Sequence, residues 1–233
     1  MRRQKISEKF GELRGRKEGA LICYIMAGDP SAEATSQIVK ALANGGADII
    51  ELGFPFSDPV ADGPTIQVAG QRALAAGMDI QRYFELVRGL DVQIPLVCMT
   101  YYNPVFKYGV EKFVEGASEA GIGGLIIPDI PVEEAVDLKS SCDQHGLDLI
   151  FLVAPTTTDE RIRKILQRGS GFLYLVSRLG VTGTREDVSS STKDLLFRVE
   201  TKLPKVVGFG ISTGRQAKAV SYTHLTLPTN REV

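Results

Sequence analysis

Two carboxylates are spaced in a way that could support acid–base chemistry. Glu51 lies near the end of the apolar run "ADIIELG" (47–53), and Asp62 follows in "FPFSDPVADGPTIQ", a loop stiffened by prolines. A carboxylate above an apolar interior has a raised pKa and can exchange protons near neutral pH. If the loop folds back, Asp62 can reach the same substrate, and Asp58 is interpreted as a residue that fixes the loop or makes a contact. The structural alternative makes Glu51 a hydrogen-bond acceptor and Asp62 the N-cap of the next helix.

The elements that must position these carboxylates follow a regular pattern. Short apolar runs alternate with helix-like segments, many of which close on glycine. The runs are "LICYIMAG" (21–28), "ADIIELG" (47–53), "IPLVCMTYY" (94–102), "GGLIIPDI" (123–130), "LDLIFLVAP" (147–155), "GFLYLVSR" (171–178) and "KVVGFGIS" (205–212). Because the runs are continuous rather than alternating, they predict parallel strands that are covered on both faces. Repetition of strand, helix and strand predicts right-handed crossover connections.

A closed TIM (β/α)8 barrel is favoured over an open doubly wound sheet. The turn after the first run, "AGDPS", lacks the G-x-G-x-x-G pattern of open dinucleotide-binding sheets. The start of the chain predicts an amphipathic helix with Ile6, Phe10 and Leu13 on one face, and the long gap before the third run leaves room for an extra helix. We expect residues 1–220 to form a single barrel domain that lacks its eighth β/α unit. Residues 221–233, "SYTHLTLPTNREV", are interpreted as a non-native tail.

Composition excludes several classes of function. The chain has 27 basic and 28 acidic residues, so nothing in its net charge of −1 favours nucleic acid or a membrane surface. No apolar stretch approaches the ~20 residues that span a bilayer, and the charged start lacks the apolar core of a signal peptide. Cys23, Cys98 and Cys142 have no metal-ligand spacing, and they are interpreted as reduced, buried thiols of a cytoplasmic protein. We therefore expect no metal site.

The ends of the predicted strands narrow the chemistry further. In TIM barrels, functional side chains project from the carboxyl ends of the strands and the loops that follow. No lysine stands there, since Lys205 opens the last run at the opposite face, and this excludes a Schiff-base mechanism. His145 precedes a glycine at a helix end, where a structural role is expected. The run "VGFGIST" has the glycines and the following helix start of a phosphate cradle, to which the "GVTGT" loop could add further amides.

Four motifs carry a resemblance to a known family. In their order and spacing, "ELGFPFSDPVADGPTIQ", "PDIPVEE", "SRLGVTGT" and "GFGIS" resemble the tryptophan synthase α subunits. The resemblance implies a TIM-barrel lyase of tryptophan biosynthesis that cleaves indole-3-glycerol phosphate to indole and glyceraldehyde 3-phosphate. It also implies an αββα tetramer, in which indole passes to a β subunit that alone carries pyridoxal phosphate.

The resemblance also assigns roles to residues. It implies that Glu51 and Asp62 are catalytic, with Asp62 holding the indole N–H, and that Asp58 faces the β subunit. The implied substrate-binding residues are Tyr24, Tyr101, Tyr174, Thr182, Gly183, Phe209 and Gly210. Two alternatives stay open at this point: another phosphate-binding barrel of aromatic amino-acid synthesis, and a non-catalytic partner of the β subunit.

Overall fold

A computed structural model describes residues 3–176, 190–208 and 213–215 of the chain. Its helices are α1 (Ile6–Arg16), α2 (Ala32–Asn44), α3 (Pro64–Ala75), α4 (Ile80–Gly89), α5 (Tyr102–Tyr108), α6 (Val110–Ala120), α7 (Val136–His145), α8 (Asp159–Arg168) and α9 (Ser190–Arg198). Its strands are β1 (Ile22–Met26), β2 (Ile49–Gly53), β3 (Leu96–Met99), β4 (Gly124–Ile126), β5 (Asp148–Ile150), β6 (Leu152–Val153), β7 (Leu173–Val176) and β8 (Lys205–Gly208). The predicted tail, 221–233, lies outside the described residues, and the boundary at residue 220 stays a prediction.

All described strands pair in parallel, and their order in space follows their order in the chain. One sheet runs from β1 to β5 and the other from β6 to β8. The predicted fifth run forms both β5 and β6, which Phe151 separates, so the structure has one strand segment more than the sequence predicts. The long second gap contains two helices, α3 and α4. This alternation of parallel strands and helices is the TIM-barrel architecture that the sequence predicts.

Helix α1 closes the bottom of the barrel, at the amino ends of the strands. Ile6 is only 1% exposed and packs into a cluster with inward-facing residues such as Ile49, Val97 and Ile126. The ring of Phe10 packs on Phe172 with centroids 5.8 Å apart. The predicted apolar face of α1 is therefore confirmed, and it fills the end of the barrel opposite the candidate site.

Local hydrogen bonds set where two of the outer helices begin. Ser31 caps α2, because its hydroxyl oxygen accepts the Ala34 N–H at 3.1 Å. Helix α7 begins at Val136, after a turn closed by the Glu134 N–H and the Pro131 carbonyl.

The described cysteines and His145 meet most of the expectations from the sequence. All three thiols are free, and Cys98 and Cys142 are buried as predicted. Cys23 is only partly buried, so the expectation that it is buried is wrong. His145 ends α7, and its ring contacts the Glu111 carboxylate at 2.8 Å, which ties α7 to α6. The histidine therefore has the structural role expected of it, and its side chain joins α7 to the neighbouring helix α6.

Candidate active site

Glu51 lies inside the barrel near the carboxyl end of β2. It shares the inward face with Ile49, two residues earlier, and is 3% exposed. Burial raises the pKa of its carboxyl group to about 8. No hydrogen bond from the described part of the chain stabilises the carboxylate. The alternative role as a structural acceptor therefore has no donor among the described residues, and Glu51 is neutral at pH 7.

Asp62 lies in the loop that joins β2 to α3, and it is half-buried. Gly63 is the N-cap of α3 and no side chain caps this helix, so the alternative role of Asp62 as an N-cap is wrong. Its backbone carbonyl accepts the Gln67 side-chain amide at 2.9 Å. Desolvation raises the pKa of the carboxyl group, and a hydrogen bond from the Tyr101 hydroxyl partly offsets this rise. The side chain is thus left to face the barrel mouth with Tyr101.

Tyr101 anchors the loop that carries Asp62. Its hydroxyl oxygen accepts the Ala61 backbone N–H at 2.9 Å, and its ring packs on Phe56 with centroids 5.4 Å apart. The residue is 5% exposed. The resemblance implies a substrate-binding role for Tyr101, and the structure places the residue directly beneath the Asp62 loop. A positioning role was not readable from the sequence, because the partners lie forty positions away.

Tyr24 and Tyr174 place two further phenols inside the barrel, each above a glycine of the neighbouring strand. A Cβ built on Gly53 would lie 2.2 Å from the Tyr24 hydroxyl oxygen, and one on Gly208 would lie 2.2 Å from that of Tyr174. Both contacts are far shorter than real Cβ atoms allow, so each phenol requires its glycine. Burial and the charge of Glu51 raise the pKa of both phenols, which keeps them protonated.

Gly208 was interpreted from the sequence as part of a phosphate cradle. In the structure, its missing side chain leaves room for Tyr174. The signal that could have shown this is positional: Gly53 and Gly208 both end a strand on the face that carries the inward residues. An inward glycine beside an aromatic residue on the next strand predicts a close ring–backbone contact.

The structure brings the described candidates together at one mouth. The charges of Asp62 and Glu51 both act on the Tyr24 hydroxyl, and that of Asp62 also acts on Tyr101. Asp58 lies farther out on the same loop, exposed and bonded to the Ser57 hydroxyl. The remaining predicted site residues, Thr182, Gly183, Phe209 and Gly210, lie outside the described residues.

Two acidic residues at strand ends are structural. The carboxylate of Asp129, after β4, accepts the Tyr102 N–H at 2.8 Å and so caps the start of α5. Asp29, after β1, forms a two-point ion pair with Arg72 of α3, with both N–O distances at 2.7 Å. These contacts hold the loops around the mouth. Within the described ranges, no group of three or more potential ligands could hold a metal ion.

The fold and the site define a class of protein: a TIM barrel with a buried carboxyl group in its interior and a second carboxyl group on a mouth loop. Residues 10–225 match the family model described as tryptophan synthase alpha chain. The chain belongs to the tryptophan synthase alpha chain family.

Relatives and solved structures agree with this assignment. The tryptophan synthase alpha chain of Methanosarcina barkeri is 82% identical over 94% of this chain and 84% of its own length. That of Methanocaldococcus jannaschii is 48% identical over 93% of this chain and 79% of its own. The alpha chain structure from Legionella pneumophila superposes with a TM-score of 0.85 at 36% identity, covering 94% of this chain and 82% of that one.

A fourth similar protein is a subunit of a complex. The structure of the tryptophan synthase a2b2 complex from Pyrococcus furiosus includes a chain that superposes with a TM-score of 0.83 at 38% identity. The match covers 89% of this chain and 85% of that one.

Proposed function

We propose that Glu51 moves both protons in the cleavage of indole-3-glycerol phosphate, with Asp62 holding the indole ring. The chain is a lyase of tryptophan biosynthesis, the activity of its family, and it releases indole and glyceraldehyde 3-phosphate. One observation carries the assignment of Glu51: a carboxyl group buried in the barrel, without a donor among the described residues and with a pKa of about 8. Such a group holds its proton at pH 7 and can give it to a carbon atom.

Glu51 alone can carry out both proton transfers, because it gives one proton to the substrate and takes one back. Glu51 first protonates C3 of the indole ring, which leaves a cation that is delocalised to the ring nitrogen. The resulting Glu51 carboxylate then takes the proton of the hydroxyl on the carbon joined to C3. As that O–H breaks, the C–C bond breaks, its electron pair returns to the ring, and the aldehyde C=O forms. Glu51 ends protonated, ready for the next cycle.

Asp62 supports this sequence from the loop. A carboxylate beside the indole N–H accepts a hydrogen bond that strengthens as positive charge develops on the ring. The Tyr101 hydroxyl supports the ionised form of Asp62, since its hydrogen bond lowers the pKa of that carboxyl group. The environments of the two carboxyl groups differ: burial alone raises the pKa of Glu51, whereas at Asp62 the Tyr101 hydrogen bond partly offsets the rise in pKa.

The same proposal covers the phosphate and the cofactor. The substrate phosphate is assigned to Gly183 and Gly210, with Phe209 lining the indole pocket and Thr182 ordering Asp62. Both proton transfers use side chains of this chain, so the cleavage needs no cofactor. Pyridoxal phosphate belongs to the partner β subunit.

We infer that the partner is a tryptophan synthase β subunit, in an αββα assembly like that described for the Pyrococcus furiosus protein. The mouth loop offers the contact surface: Asp58 is exposed there, and Val60 is 83% exposed. We place the enzyme in the cytoplasm, the site of its small-molecule chemistry. The described helices include none with the length and apolar character needed to cross a bilayer.

Turnover of indole-3-glycerol phosphate, with and without a β subunit, tests the proposal. Glu51→Gln should keep the fold and lower kcat at least ~100-fold, the scale of lost general acid–base catalysis. The exposed Glu115→Gln is the matched control and should turn over normally. Wild-type turnover in Glu51→Gln would refute the assignment. A wild-type chain that only activates the β subunit would support the non-catalytic alternative.

Asp62→Asn tests the second role. It should lower kcat while leaving the Kd of the substrate nearly unchanged, because the interaction strengthens only as charge develops on the ring. Asp91→Asn, an exposed site at the opposite end of the barrel, is the control. If substrate binding collapses and kcat at saturation is unchanged, Asp62 only positions the substrate.

A further inference from the structure

The Tyr24 hydroxyl differs from those of Tyr83 and Tyr101 in its hydrogen bonding. The Tyr83 hydroxyl donates to the Leu52 carbonyl at 3.0 Å, and the Tyr101 hydroxyl accepts the Ala61 N–H. Within the described part of the chain, no hydrogen bond to the Tyr24 hydroxyl is formed. Tyr24 is only half-buried, so its hydroxyl keeps some access to the interior of the barrel mouth. A ligand is a natural source of the missing partner in an active site.

The position of Tyr24 shows which part of a ligand it would meet. On the paired strands β1 and β2, Tyr24 is the register partner of Glu51, so both side chains point into the barrel at the same level. Its hydroxyl oxygen lies above Gly53, two residues beyond Glu51 toward the mouth. The charges of Asp62 and Glu51 both reach it. The phenol thus stands at the centre of the site, and this crowding of carboxyl groups makes it a donor rather than an anion.

The chemistry of the substrate limits what a donor can bind. The indole ring offers an N–H, which is itself a donor, and carbon atoms. The acceptors are the two hydroxyl oxygens of the three-carbon chain and the phosphate at its far end. Glu51 must reach the hydroxyl on the carbon joined to the ring, because this hydroxyl loses its proton. The register partner of Glu51 is therefore nearest to the same oxygen.

We propose that the Tyr24 hydroxyl donates a hydrogen bond to this oxygen, the one that becomes the aldehyde oxygen of the product. The inference rests on the proposed function of Glu51 and extends it to a residue that selects the substrate and assists the bond cleavage. As Glu51 removes the hydroxyl proton, negative charge develops on the oxygen before the C=O forms. A donor already in place stabilises that charge more than it stabilises the resting hydroxyl.

Binding measurements without turnover test the contact itself. In the Glu51→Gln background, we expect Tyr24→Phe to raise the Kd of indole-3-glycerol phosphate ~2–10-fold, the value of one net hydrogen bond. An analogue with hydrogen in place of the hydroxyl next to the ring should bind both proteins equally. In the Glu51-intact protein, Tyr24→Phe should lower kcat by ~10-fold or more, because the bond strengthens in the transition state.

The controls separate this role from a structural one. Tyr108→Phe removes a hydroxyl from α5, outside the barrel, and should change neither Kd nor kcat. Equal weakening of substrate and analogue by Tyr24→Phe, or no weakening of either, would overturn the proposal. The proposal would also be overturned if Tyr24→Phe left the Kd unchanged only for an analogue that lacks the middle hydroxyl of the three-carbon chain. That result would show that Tyr24 binds the middle oxygen instead. Failure of the proposed function shows separately, as full turnover in Glu51→Gln.

Discussion

The Tyr101 hydroxyl is bonded to the backbone of Ala61 at 2.9 Å, one residue before the loop carboxylate. This hydrogen bond joins the segment after β3 to the loop after β2, beside the ring contact between Tyr101 and Phe56. It fixes the backbone next to Asp62 before any substrate arrives, and the same hydroxyl also donates to the Asp62 side chain. One phenol therefore contributes both to the position of the loop and to the pKa of its carboxyl group.

Tyr101→Phe should remove both hydrogen bonds of the hydroxyl while it keeps the packing of the ring. The ring contact with Phe56 is kept, whereas the bonds to Ala61 and Asp62 are lost. We expect kcat/KM to fall ~10-fold and the free energy of unfolding to fall by about 1 kcal/mol, the value of a lost hydrogen bond. The acid limb of the kcat/KM profile should move to higher pH, because the bond that lowers the pKa of Asp62 is gone. Tyr102→Phe is the control, and an unmoved acid limb would contradict the positioning role.

The buried carboxyl group of Glu51 should make stability depend on pH. Its folded-state pKa of about 8 lies above the ordinary value of 4.5, so the unfolded chain loses the proton first. The contribution of Glu51 to stability is complete below pH 4.5 and declines as the pH rises toward 8, by an amount of the order of a few kcal/mol. Glu51→Gln should therefore be more stable than wild type at pH 8, with the difference shrinking toward pH 4.5. Urea unfolding across this range measures it, and a difference independent of pH would contradict the assignment.

The pH dependence of turnover should also report the ionisation of Glu51. Because the neutral form of Glu51 protonates the ring, kcat/KM of the free enzyme should fall as the pH rises through about 8. Steady-state rates between pH 6 and pH 10, with stability checked at each point, measure the basic limb. A profile that stays flat above the pKa of Glu51 would show that the ionised form starts the reaction.

Gly53→Ala should displace the Tyr24 phenol. The added Cβ would lie 2.2 Å from its hydroxyl oxygen, and overpacking of this kind costs about 1–3 kcal/mol. We expect a lower kcat and a lower Tm, and the double variant Gly53→Ala with Tyr24→Phe should recover part of the Tm, since the clashing oxygen is absent. Gly89→Ala is the control, because nothing lies within 4 Å of its added Cβ. Unchanged kcat in Gly53→Ala would show that the phenol can move freely.

The sequence predicts those parts of the structure that depend on local pattern. Continuous apolar runs predict the parallel strands because both faces of each strand are buried. The position of Glu51 near the end of such a run predicts its raised pKa for the same reason. The cap at Ser31 follows from a serine before a helical run. Each of these inferences needs only neighbouring residues.

The parts that were missed depend on contacts between distant residues. Tyr101 and Ala61 are joined across two β/α units, and Tyr24 meets Gly53 across two strands, so no local pattern contains either pair. Asp62 precedes a helix, and this position suggested an N-cap, whereas the structure turns its side chain toward Tyr101. The contact between Gly208 and Tyr174 is of the same kind, since the local glycine pattern carries no information about the Tyr174 ring above it. The role of Gly208 in a phosphate cradle stays a prediction.

The closed lower end of the barrel has a consequence for molecular traffic. Ile6 and Phe10 fill the interior beneath the catalytic level, so that end of the barrel leaves no room for a substrate. We therefore expect substrate and products to pass at the opposite end, where the loop with Asp58 and Val60 projects. A subunit seated on that loop would lie beside the path of the departing indole. Filling the lower end of the barrel with α1 thus places binding and release on the side of the mouth loops.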